Sequence, residues 1–234
     1  MIKAVFFDWF NTLAHFEPPR AELYSRAFQQ FGIELAPREI MRGILAADLY
    51  YFEENVKSPV EKRGAEEQAE VYSYYPKAIL AEAGVKVVKE LPLKILRIVQ
   101  QQFKGDALIL FDDVLSTLKM LKERRLILGL LTNATRDKLS LHRKLGLEGY
   151  LDFVVTSQEA GADKPKPPTF LAALDRARVK AFEALHVGDQ YQLDVVGARG
   201  AGINPILIDR YDLYPEVSNC PRIRSLTELA RYLG

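Results

Sequence analysis

Residues 185–208, LHVGDQYQLDVVGARGAGINPILI, decide the fold. Leu185–Val187 and Pro205–Ile208 are short apolar runs, and Val195 to Ala201 between them reads as a helix. Runs without polar alternation suit strands covered on both faces, and a helix joining two of them makes a right-handed crossover. Working outward, the same kind of run recurs at Ala4–Phe7, Ile127–Leu131 and Phe153–Thr156. Amphipathic stretches of helical length accompany them. One carries Leu115, Leu118 and Leu121; another carries Leu139, Leu141 and Leu145 and stops at Gly146. Phe170 to Ala177 supplies a third, and Leu226 to Leu233 closes the chain. This alternation predicts an α/β protein with a doubly wound, Rossmann-like parallel sheet.

Residues 17–105 break the rhythm. They hold no convincing strand, and helical spacing dominates at Leu23, Ala27 and Phe28, at Ile40, Ile44 and Leu45, and at Leu93, Leu96 and Val99. Pro37, Pro59, Pro76 and Pro92 punctuate the stretch into several helices. It reads as an all-helical insert, leaving 1–16 and 106–234 as the α/β core. The 234 residues carry 32 Lys and Arg against 31 Asp and Glu, and a net charge of +1 argues against a generic binder of nucleic acid or anionic membrane. No apolar run approaches the roughly 18–20 residues of a membrane span, and no secretory signal is visible. A lone Cys220 excludes an intrachain disulfide and a zinc site built on several thiolates. A cytoplasmic setting is expected, with a monomer or homodimer as the assembly.

Ligands of a doubly wound sheet bind beyond the carboxyl ends of the strands, which directs attention to the residues after each run. Asp8-Trp9-Phe10-Asn11-Thr12 follows the first and Thr132-Asn133 the second. Gly161-Ala162-Asp163-Lys164-Pro165 follows the third. Gly188-Asp189 follows the fourth, with Asp194 five residues on. Singly, each is an ordinary loop residue or helix cap. Jointly, they should converge on one edge of the sheet. His15, His142 and His186 have no second imidazole or thiolate at ligand spacing, so they read as structural.

The order and spacing of these groups resemble the haloacid dehalogenase-like hydrolase superfamily over essentially the whole chain. D-W-F-N-T at 8–12 is similar to its first motif, LLTN ending at 133 to its second, G-A-D-K-P-K-P-P-T-F at 161–170 to its third, and HVGDQYQLD at 186–194 to its fourth. A helical cap inserted after the first motif is also a family feature. The resemblance implies a carboxylate nucleophile at Asp8, a substrate-oxygen ligand at Thr132 and a charge-balancing Lys164. It implies Mg²⁺ held by Asp8, Asp189, Asp194 and the Phe10 carbonyl, with Asn133 and Thr12 as substrate-binding residues. The substrate would be a small anionic molecule, in the first place a phosphate ester.

One position departs from the pattern. Family phosphatases carry a second Asp two residues after the nucleophile as acid and base, and this chain has Phe10. Phenylalanine can neither give nor take a proton, although its carbonyl remains. Family dehalogenases commonly have Tyr there, and halide leaves without protonation; but they usually lack an acid equivalent to Asp189. They also want a cap arginine for the substrate carboxylate or halide, for which Arg26 and Arg42 are available. A Mg²⁺-dependent phosphohydrolase, a 2-haloacid dehalogenase and a catalytically weak phosphate-ester binder are therefore all open. At the usual glycine of the motif stands Asn11, a residue type that tolerates positive φ.

Overall fold

A computed structural model describes residues 1–86, 89–103, 108–133, 143 and 145–234. The predicted positions Gly105, Leu139, Leu141 and His142 lie outside the described residues. The chain forms two compact units, Met1–His15 with Leu108–Gly234, and Phe16–Ala107.

In the first unit, β1 (Ala4–Phe7), β4 (Ile127–Thr132), β5 (Phe153–Thr156), β6 (Ala184–Gly188), β7 (Asn204–Ile208) and β8 (Arg222–Ile223) form a six-stranded sheet in the order β5-β4-β1-β6-β7-β8. Every pairing is parallel. The five predicted runs thus become β5, β4, β1, β6 and β7. The two-residue β8 and a small separate sheet of β2 (Ala14–Phe16) with β3 (Leu108–Leu110) were not anticipated. Such short strands carry too few residues to show a periodicity of their own.

The sheet runs one way from β1 through β4 to β5 and the other way through β6 to β8, so the strand order reverses at β1. Crevices open at such a reversal, outside the carboxyl ends of the strands. Register puts those ends level: Phe7 pairs with Leu130 on one side and Val187 on the other. All four residues of β1 are buried. Ala4 and Phe6 pack with Leu131, Val155, Phe170, Ala173 and Ala198 on one face, each large side chain contributing about 1.5–3 kcal/mol by leaving water. Gly129 in β4 is required by this packing. A Cβ there would stand 2.4 Å from the Phe153 ring and 3.1 Å from Phe6.

Two of the predicted helices take tighter or wider forms. Tyr191–Val196 winds as a π-helix before the short α-helix Gly197–Gly200, and Leu226–Tyr232 is 3₁₀. The helix Pro167–Ala177 follows the apolar spacing as expected, with Pro167 at its first turn. α5 (Val114–Glu123) buries Val114, Leu118 and Leu121.

The second unit is helical: α1 (Arg20–Gln29), α2 (Pro37–Lys57), α3 (Ala65–Glu82) and α4 (Leu91–Gln102). Leu23, Phe28, Ile40, Ile44, Ile79 and Ile95 build its core. Gly43 lets α2 and α3 touch, since a Cβ there would be 2.3 Å from the Ile79 Cα. Within the core, Arg20 donates two hydrogen bonds to Asp48, at 2.9 and 2.6 Å, and the Tyr75 hydroxyl donates to the same carboxylate at 2.7 Å. Arg26 and Arg42 ion-pair instead with Glu22 and Glu82 at the exposed side of their helices. No helix among the described residues is long and apolar enough to cross a membrane.

Candidate active site

Asp8 is the first residue past the central strand, its N–H still bound to the Val187 carbonyl at 2.9 Å. The chain then turns tightly: Leu13 and Ala14 both donate to the Trp9 carbonyl, and Asn11 donates to that of Ala14 at 2.7 Å. Asn11 takes φ 57° in this turn, the left-handed region that favours Gly and that Asn tolerates better than most residues. Its side-chain amide donates to Asp189 at 3.2 Å. Phe10, in the same turn, sets its ring edge-on to the buried Trp9.

Lys164 is buried, and its ammonium bridges two carboxylates. Nζ lies 2.6 Å from Asp8 Oδ1 and 2.7 Å from Asp194 Oδ1. The loop that carries it is clamped from β4. Asn133 Oδ1 accepts from the Lys164 N–H at 2.8 Å while its Nδ2 donates to the Lys164 carbonyl at 3.2 Å. Thr132, at the end of β4, is buried and level with Thr156 of β5.

Asp194 sits on the π-helical turn. Its Oδ2 accepts from the Gln190 N–H at 3.1 Å, and its Oδ1 is 3.0 Å from His186 Nε2. Because that carboxylate is ionised, Nε2 of the neutral imidazole carries the proton. Gly188 makes the arrangement possible, for a Cβ there would be 2.1 Å from the Asp194 Cγ. One carboxylate oxygen from each of Asp8, Asp189 and Asp194 lies within 4.8 Å of the others. That is a set of hard oxygen donors suited to Mg²⁺ or another oxygen-seeking cation, so these residues fit the metal that the resemblance implies.

The electrostatics separate the two carboxyls that share Lys164. Burial pushes Asp8 up to about 6 against the pull of the ammonium, and Asp194 adds to the rise. Burial also opposes the charge on Asp194, but Lys164 and the His186 hydrogen bond outweigh it and hold that carboxyl well below the ordinary range. Burial works against the Lys164 charge, yet Asp194 and Asp8 together raise it, keeping the ammonium charged. Burial lowers His186 despite Asp194, so its imidazole is neutral.

The sequence-predicted site residues lie at the carboxyl edge of the sheet or in the segments just beyond it, with Asp194 on the π-helical turn after β6. Asp8, Lys164, Asp189 and Asp194 meet through side chains, and Thr12 donates a long hydrogen bond of 3.4 Å to Asp8 Oδ2. The amide of Asn133 is committed to the Lys164 backbone rather than turned outward. His186, read as structural, contacts the site through Asp194. Its one sequence signal was a polar residue inside an otherwise apolar strand.

Comparisons with known proteins give the family. The haloacid dehalogenase-like hydrolase family model matches residues 2–202. The haloacid dehalogenase-like hydrolase domain-containing protein 3 of Danio rerio is 30% identical over 213 residues, spanning 90% of this chain and 86% of that protein. A ribulose-1,5-bisphosphate 5-phosphatase of Halopiger xanaduensis is 37% identical over 101 residues, which is 43% of this chain and 42% of that enzyme. Among solved structures, a 2-haloacid dehalogenase of Pseudomonas syringae superposes with a TM-score of 0.59 at 26% identity, over 100% of this chain and 98% of that one. With a family match over most of its length and the acidic cluster at the strand ends, the chain belongs to the haloacid dehalogenase-like hydrolases.

Proposed function

We propose that this hydrolase cleaves a small phosphate ester with Asp8 as nucleophile. The observation that carries the reading is the charge set at the strand ends: three carboxylates close enough to share a cation, around one buried ammonium. Asp8 Oδ1 is anchored by Lys164. Its second oxygen, which accepts a long hydrogen bond from Thr12, would attack phosphorus as the ester P–O bond breaks, giving an acyl phosphate on Asp8. Water then attacks this intermediate, releasing phosphate and restoring the carboxylate. Thr132 would hold a phosphoryl oxygen, while Thr12 and Asn133 hold Asp8 and Lys164 in place. Asp8, Asp189 and Asp194, with the Phe10 carbonyl, would hold Mg²⁺, which when bound supplies charge shielding between the nucleophile and an anionic substrate. The helical unit after β1 would serve as a cap that favours small substrates.

Phe10 sets the chemistry apart. No side chain at that position can protonate the departing alkoxide, a contribution typically worth about 10²–10⁴-fold. Turnover should therefore depend steeply on the leaving group, with aryl phosphates much faster than alkyl phosphates. The same residue favours a second reading, 2-haloacid dehalogenation, in which the leaving halide needs no proton.

Phosphate and halide release across a panel of phosphate esters and 2-haloacids, with Mg²⁺ and then with a chelator, tests both. Phosphate release that the chelator abolishes supports the phosphohydrolase. Halide release that survives the chelator replaces it with the dehalogenase, and Mg²⁺ and phosphate binding without either product marks a binding protein.

A further inference from the structure

Strand β7 is followed by Asp209 and Arg210, which the reaction as proposed leaves without a role. Arg210 has a side chain only 10% exposed. Its guanidinium pairs as a fork with Asp113, Nη1 to Oδ2 at 2.9 Å and Nη2 to Oδ1 at 3.0 Å, and its central carbon lies 3.9 Å from the centre of the Phe111 ring. Asp113 is fixed in turn, accepting from Ser225 Oγ at 2.7 Å and from the Leu226 N–H at 2.8 Å. A planar fork held by a bidentate carboxylate and a ring face has little freedom left. From that fixed position Nη2 also donates to the Thr12 carbonyl at 2.9 Å.

Thr12 belongs to the turn that presents the nucleophile. The turn contains a non-glycine residue in left-handed conformation, Asn11, and conformations of that kind persist only where surrounding contacts over-determine them. Within the turn, the hydrogen bonds run among Trp9, Asn11, Leu13 and Ala14. From outside, the Phe111 N–H donates to the Leu13 carbonyl at 3.2 Å, the Asn11 amide reaches Asp189 at 3.2 Å, and Arg210, 198 positions away in sequence, holds the Thr12 carbonyl. A guanidinium serving only to pair Asp113 would have no need to reach the nucleophile turn.

We infer that Arg210 is a positioning residue for the nucleophile, its clamp on the Thr12 carbonyl holding the turn that carries Asp8 and Asn11 in reactive geometry. The inference rests on the assignment of Asp8 given above. Misplacing a reacting group by about 1 Å costs on the order of 10²-fold in rate, so a loosened turn should reduce kcat with little change in KM.

Three variants decide it. Arg210→Met removes the clamp, Arg210→Lys keeps the charge on a flexible stem, and Ser225→Ala weakens Asp113 without touching the turn. Two readouts apply: kcat and KM on an aryl phosphate with Mg²⁺, and hydrogen exchange of the amides in residues 9–14 of the folded protein. The expected result is a kcat lower by about 10²-fold in Arg210→Met, a smaller loss in Arg210→Lys, and the smallest loss in Ser225→Ala, which removes one support of Asp113 and leaves the bond to Thr12 in place. Exchange should accelerate most in Arg210→Met and least in Ser225→Ala. Equal exchange in Arg210→Met and wild type, or an acceleration in Ser225→Ala as large as in Arg210→Met, overturns the inference. Because exchange is read without turnover, it decides the clamp even if the wild-type protein hydrolyses no ester, an outcome that would sink the phosphatase reading separately.

Discussion

Each unit of the chain buries a cation against carboxylates, and the two clusters are built on different charge accounts. In the helical unit, one guanidinium meets one carboxylate. Arg20 forks onto Asp48, and Tyr75 donates to the same group. The phenol is pushed well above its ordinary value by burial and by Asp48, so it stays protonated as a donor. In the α/β unit, among the described residues, one ammonium bridges Asp8 and Asp194 with the Asp189 carboxylate close to both, and burial leaves Asp8 reluctant to ionise. A balanced pair holds helices together. A cluster that leaves one buried carboxyl reluctant to ionise is the kind expected of a reactive centre, and a divalent cation held there would offset the crowded charge.

The largest expected effect comes from removing the unbalanced charge. Asp8→Asn should reduce phosphate release on the order of 10⁵-fold or more, as removal of a nucleophile does in other hydrolases; turnover near wild type in that variant would break the comparison. Next is Phe10→Asp, which restores a proton donor and acceptor. It should raise turnover of alkyl phosphates by about 10²–10⁴-fold and flatten the dependence on leaving group measured across a series of esters.

In the balanced cluster the effects should appear in stability. Asp48→Asn strands a mostly buried guanidinium and should cost about 3 kcal/mol in denaturant unfolding. Replacing Arg20 and Asp48 together with Leu should recover much of that loss. A double variant no more stable than the single one would mean that the pair contributes more than mutual neutralisation.

The smallest effect concerns Asp8 and pH in metal-free protein. Its carboxyl lies near 6 in the fold against an ordinary 3.8, so the folded state takes up a proton that the unfolded chain releases. That contribution to stability is fully present below pH of about 4 and is lost as pH rises through about 6. Asn mimics the neutral acid. Asp8→Asn should therefore stabilise the chelated protein at pH 7 by about 1–3 kcal/mol and leave it unchanged near pH 4. A thermal-unfolding series across that range reads the difference, and a gain that persists at low pH would assign it to packing instead.

Much of the sheet was legible because its strands are continuously apolar, and a buried parallel sheet demands that pattern. The site was legible because the residues that follow such strands share one edge: Asp8, Thr132 and Asp189 could be placed there from order alone. Contacts between distant residues carried no such signal. Asn133 looked like a substrate ligand, but an amide next to a strand end can equally clamp a neighbouring loop, and only the fold brings Lys164 opposite it. His186 reads as structural from sequence, and only the fold shows that the π-helical turn brings Asp194 to its Nε2. Arg210 lies in no motif considered, and its bond to Thr12 joins opposite ends of the chain.

The sequence by itself determined the parallel α/β core and the chemical character of the groups at the strand ends, because hydrophobic period and residue type are local properties. The tertiary structure alone decided which oxygen of each aspartate meets which donor, in which directions burial and neighbours shift Asp8 and Asp194, and which remote side chain reaches the turn after β1. Those depend on distances of a few ångströms between segments that share no sequence neighbourhood, and on the water excluded where they meet.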